Sequence, residues 1–144
     1  MTWFSTIESD IYNYFEDFLT VVSDAPFPNL NITVSNQNDS VEGVAVFPTL
    51  YVHMLPPIET GNDLTNNEVF ALNVTFELQV FSENNEEECR KILTECIQLM
   101  KKLHFNVGMF PDPQTVNKKY LAIARFNRVL AKGELDNLLA EIYK

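Results

Sequence analysis

Between Leu72 and Val80 apolar and polar side chains alternate without a break: Leu72, Val74, Phe76, Leu78 and Val80 are separated by Asn73, Thr75, Glu77 and Gln79, and Phe81 follows. Successive side chains leave a strand on opposite sides, so a period of two marks a strand with one face in a core and the other mostly polar. Such a strand requires a sheet around it and a layer packed on its apolar side.

Helical segments elsewhere provide that layer. From Trp3 to Ser23 the residues Trp3, Ile7, Ile11, Tyr14, Phe15, Phe18, Val21 and Val22 recur at three- and four-residue steps, with Glu8, Asp10, Glu16 and Asp17 between them. That spacing predicts an amphipathic helix, which Pro26 and Pro28 terminate. A second helix is predicted from Asn84 to Leu103, with Cys89, Ile92, Leu93, Cys96, Ile97, Met100 and Leu103 as its buried stripe. Glu86, Glu87 and Glu88 stand at its positive end and Lys101 and Lys102 at its negative end, as the helix dipole favours. Ser82 or Asn84 is expected to cap it. A third helix is expected over Glu134 to Tyr143, with Leu135, Leu138, Leu139 and Ile142 on one side.

Further strands are expected at Asn31–Ser35, Thr49–Met54, Phe105–Phe110 and Lys119–Leu130, with a polar, turn-rich stretch from Asn36 to Gly43. Leu55 to Asn67 contains Pro56, Pro57 and Gly61 and reads as a long surface loop. The expected fold is therefore α+β: one domain over residues 1–144, with a mostly antiparallel or mixed sheet, an N-terminal helix, a long central helix and a short C-terminal helix. A chain of 144 residues that is 46% hydrophobic, with eleven Phe, has enough apolar material for one core and an interface besides. No run approaches the roughly 20 apolar residues that span a bilayer, and no basic region with an apolar run opens the chain, so no membrane is expected and the reading is cytosolic.

The net charge of −10 opposes gripping of nucleic acid phosphates, which needs clustered Lys and Arg. Its distribution is uneven. Met1 to Cys89 holds fifteen Asp and Glu and no Lys or Arg, whereas Arg90 to Lys144 holds ten Lys and Arg against five acids. Either the halves neutralise each other within the chain, or they offer an acidic and a basic face to neighbouring copies.

Chemistry-bearing motifs are scarce. The only histidines are His53 and His104, neither in a nucleophile motif, and four glycines leave little material for a phosphate loop. Cys89 and Cys96 lie seven apart on a helix, too far to bridge each other, and with His104 they lack the paired spacing of a zinc site. No catalytic residue, metal ligand or cofactor is expected.

The order of elements resembles the tail terminator, or tail-completion, proteins of long-tailed bacteriophages, the group that includes the lambda gpU type. The resembling features are the N-terminal helix, the segment Phe47-Pro48-Thr49-Leu50-Tyr51-Val52, a polar loop, the strand Leu72 to Phe81, and a helix ending in Lys102-Leu103-His104-Phe105. The turn Phe110-Pro111-Asp112-Pro113 and a closing strand with Arg125-Phe126-Asn127-Arg128 complete them. The likeness covers nearly the whole chain and implies a non-enzymatic ring, most often a hexamer, that caps the finished tail tube, ends its polymerisation and offers a surface to the head connector or neck proteins. DNA would pass through without specific binding. The chain would act in the host cytoplasm during assembly and then in the virion tail or neck.

Leu55, Ile58, Asp63 and Leu64 of the loop are then the expected subunit or tail contacts, with Lys118, Lys119, Arg125 and Arg128 on the basic side of the interface. Two alternatives stay open: another neck component, such as a head-completion or stopper protein, or a small acidic enzyme or ligand-binding domain with a site built from Tyr51, His53 and Glu77.

Overall fold

The structure, a computed structural model, describes residues 3–34, 48–60, 71–83, 85–116 and 119–143. In chain order the elements are α1 (Ile7–Glu16), continued for one π-helical turn through Asp17–Val21, β1 (Asn31–Thr33), β2 (Thr49–Met54), β3 (Ile58–Thr60), β4 (Ala71–Ser82), α2 (Glu86–Lys102), β5 (Asn106–Val116), β6 (Lys119–Ala131) and α3 (Glu134–Ile142). The strands form one mixed six-stranded sheet in the order β1-β2-β4-β6-β5, with β3 paired to β4 off that path. β1 is parallel to β2, and the other pairings are antiparallel. This is the α+β single domain that the patterning predicts, with its N-terminal, central and C-terminal helices.

Burial along β4 follows the alternation residue by residue. Val74, Phe76, Leu78 and Val80 are fully buried, while Asn73, Thr75, Glu77 and Gln79 are half-buried on the other side. All three helices lie over the inward face. α2 sets Cys89, Ile92, Leu93, Cys96 and Met100 into the core, and the Cys89 Sγ reaches the carbonyls of Val80 and Tyr120. α1 contributes Ile7, Ile11, Tyr14 and Phe15, and the Tyr14 hydroxyl donates to the Leu99 carbonyl at 2.7 Å, joining the two helices. α3 is tethered through Glu134, which accepts from Arg128 of β6, and through Tyr143, whose hydroxyl donates to Asp17 of the π-helical turn.

The structure departs from the sequence reading in four places. Leu55–Asn67 is not wholly a loop: Ile58–Thr60 forms β3 against Ala71–Asn73, and the Leu55 amide donates to the Thr75 carbonyl at 2.9 Å. Pro56 and Pro57 hold the backbone in extended geometry, and two of the next three residues are β-branched, so the segment extends along the free edge of β4. Asp63 and Leu64 lie outside the described residues.

Second, β5 does not stop before Pro111 but runs through Pro111, Asp112 and Pro113 to Val116. Proline lacks an N–H, which an edge strand can spare on its solvent side, and register shifts at Val107/Met109 and Met109/Asp112 absorb the misfit. Third, the cap of α2 is Asn85, whose side chain accepts from the Glu88 amide at 2.8 Å. Ser82 is committed to β4, and its hydroxyl donates instead to the Glu88 carboxylate. Finally, α1 begins at Ile7 and not at Trp3, because residues 3–6 form a turn.

Candidate functional site

The odd-numbered side chains of β4 point away from the helices, and the strand register shows which side chains join them on that face. His53 stands opposite Glu77, and Glu77 opposite Arg125. One step along, Tyr51 faces Gln79 and Gln79 faces Ile123; two steps along, Phe81 faces Leu121. In the other direction Thr75 faces Asn127, and Asn73 lies between Ile58 and Val129. The apolar side chains of this face are the least covered at one end, where Ile58 is 68% and Val129 50% exposed. No helix of the described residues packs here.

Glu77 is the centre of the face. Its Oε2 accepts from Arg125 Nε at 2.8 Å and lies 2.7 Å from Nη2, while its Oε1 accepts from Gln79 Nε2 at 2.7 Å. Burial would push this carboxyl up, but the Gln79 hydrogen bond, the Arg125 guanidinium and the nearby His53 together hold it below its ordinary value. Beside it the rings of Tyr51 and His53 stack with centroids 5.5 Å apart and planes 14° from parallel. Two neighbouring odd positions of one strand reach each other this way because both side chains leave the same side of the pleat.

The expected contact residues are dispersed. Arg125 lies at the centre of the open face, Ile58 on exposed β3, Leu55 just past β2, and Lys119 at the start of β6. Arg128 is on the opposite side, where it donates to the Leu103 carbonyl at the end of α2 and to Glu134 at 2.6 Å. Asp63, Leu64 and Lys118 lie outside the described residues. The sheet does gather Tyr51, His53 and Glu77, and it adds Arg125 and Gln79 to them. Gln79 and the apolar pair Phe81 and Leu121 are members that sequence reasoning passed over. The readable sign was in β6, which carries apolar residues at both parities along its length, and in Phe81, which breaks the alternation of β4.

The charge division is also partly closed within the chain. All three arginines pair internally: Arg125 with Glu77, Arg128 with Glu134, and Arg90 with Glu87 at 3.6 Å. Two of these pairs join the basic half to the acidic half.

Elsewhere among the described residues, concave or reactive chemistry is limited. Burial pushes the Cys89 thiol up to about 11 and the Cys96 thiol higher still, so both stay protonated at neutral pH. Among the described residues no group of three His, Cys, Asp or Glu is placed to hold a metal ion, and no helix is long and apolar enough to cross a membrane. The depression between α1 and the start of α3, lined by Trp3, Ile7, Asp10, Gly133, Leu135 and Asp136, has room for little more than a water molecule. A broad sheet face with fixed donors and acceptors, flanked by exposed apolar residues, is suited to docking another surface. No model of a known protein family matches the chain, and no curated protein matches its sequence.

Proposed function

We propose that this chain is a non-enzymatic assembly protein of the tail terminator kind, which caps a completed phage tail tube as a ring, most often of six copies, and presents a surface for joining the head. The observation that carries the assembly reading is the open sheet face: an ordered ladder from His53 through Glu77 to Arg125, flanked by the exposed Ile58 and Val129 and lacking a helical cover among the described residues. Exposed apolar side chains around a satisfied polar centre are the anatomy of a protein contact. The order of elements along the chain supports the narrower terminator reading.

Negative-stain images of the purified chain, alone and mixed with polymerised tail tubes, test it. Rings in solution or at tube ends are expected. Smooth, uncapped tubes together with a monomeric mass at every concentration would overturn it.

One specific observation favours a second reading, a ligand-binding or catalytic site: Tyr51 and His53 of β2 meet Glu77, distant in sequence, on the adjacent strand. Against it, both Glu77 oxygens are already engaged by Gln79 and Arg125. Phosphatase, nuclease, protease and esterase assays are expected to be negative, and turnover abolished by His53→Ala would establish the second reading.

A further inference from the structure

We infer that the open sheet face pairs with the same face of a second copy, through a two-fold axis running along the strands between β4 and β6. The register carries the argument. Rotation about such an axis lays β4 of one copy over β6 of the other while each cross-strand level stays in place.

Glu77 of one copy then lies over Arg125 of its partner, and Phe81 over Leu121; Thr75 meets Asn127. At these three levels opposite charges, apolar groups and polar groups each meet their match, while Gln79 over Ile123 and Asn73 over Val129 are the mixed levels. A two-fold axis perpendicular to the strands would instead lay Glu77 on Glu77 and Arg125 on Arg125, so electrostatics selects the first orientation.

The same register selects a second copy as the occupant, because it brings an Arg125 to each Glu77 and a Leu121 to each Phe81. Two copies with a net charge of −10 each repel one another at long range, but the centre of this face adds nothing to that repulsion, because each Glu77 already has its own Arg125. The Arg125 side chain is 51% exposed and stands proud of the better covered Glu77, at 13%, so it can meet a second carboxylate without leaving the first. Two sheets stacked in this way pack about 10 Å apart with their strands some 30° from alignment. This contact closes at two copies and is independent of the ring, whose head-to-tail contacts are heterologous.

Sedimentation velocity of the full chain, from micromolar to sub-millimolar concentration, is the test. The wild-type chain is expected to dimerise, and Arg125→Glu and Glu77→Arg each to weaken the dimer about tenfold or more, since like charges then meet across the axis. An equimolar mixture of the two variants is expected to restore association as a heterodimer, because one variant brings two acids to the centre and the other two bases. Thermal midpoints near that of the wild type establish that each variant folds. For a variant that does not fold, Thr75→Arg mixed with Asn127→Glu places opposite charges across the axis one level away, and the mixture is expected to associate more tightly than either variant alone.

A wild-type chain that stays monomeric, variants that dimerise unchanged, or a mixture that fails to associate would each overturn the inference. Six-copy rings from a wild-type chain that shows no two-fold dimer at any concentration would overturn this pairing and leave the ring reading standing. Dimers that behave as described, from a chain that leaves tail tubes uncapped, would do the reverse.

Discussion

At the scale of single residues, the end of α2 shows how local geometry sets a cost that the sequence does not display. His104 has φ of 65°, in the left-handed region, while the His104 amide donates to the Lys101 carbonyl and the Phe105 amide to that of Met100. These two bonds form a Schellman closure, in which glycine is the usual residue at the left-handed position. His104 is exposed and has no side-chain hydrogen bond that depends on its imidazole among those described. His104→Gly is therefore expected to stabilise the chain by about 0.5 to 1 kcal/mol, read as a higher denaturant midpoint.

Arg128 behaves in the opposite way, because it satisfies the Leu103 carbonyl and binds Glu134 with its side chain only 14% exposed. Arg128→Met should cost about 2 to 3 kcal/mol. Arg90→Met, which removes a pair exposed on both sides, should stay within about 0.5 kcal/mol.

At the scale of elements, the alternation in β4 and the stripe in α2 were legible because each needs only neighbours along its own segment. Features set by a second strand were not legible. The extended segment after Pro57 becomes β3 only because β4 leaves an edge for it, and Pro111 and Pro113 stay within β5 only because that strand lies at the edge of the sheet. The cap of α2 slipped to Asn85 because pairing of β4 with β6 holds Ser82 in the sheet as the partner of Tyr120. Asn85→Ala should cost about 1 kcal/mol in chemical denaturation, whereas Ser82 is not expected to act as a cap at all.

The same limit applies to the site. Tyr51, His53 and Glu77 were each visible as polar or aromatic residues of strands, but their meeting with Arg125 depends on the register of three strands. Glu77 gives this cluster a measurable acid signature. Its carboxyl is held below the ordinary value of 4.5 in the folded state, so its contribution is present above that value and is lost as pH falls through the lowered one. The acid limb of the stability curve should be flatter for Glu77→Gln than for the wild-type chain. Parallel limbs would mean that the cluster contributes no linkage.

For the whole molecule, the sign of the salt dependence separates two accounts of how copies meet. If assembly rested on open contacts between an acidic face and a basic face, added salt would weaken it, since exposed charges are screened beyond a Debye length of about 10 Å at 0.1 M. The three arginines, however, are already paired within the chain, and residues 3–34 contain five acids with no Lys or Arg. What remains between two approaching copies is chiefly the long-range repulsion of two −10 charges, which reaches about 30 Å at 0.01 M. The Glu77 and Arg125 groups at the centre of the inferred contact lose water when two faces meet, and screening acts on such groups much less. Raising sodium chloride from about 0.01 to 0.1 M at fixed pH and protein concentration should therefore increase the assembled fraction in sedimentation velocity, with little further change once the Debye length is short. A fall in that fraction would mean that unlike charges on exposed surfaces hold the copies together, and would return the contact to the lysines of the C-terminal half.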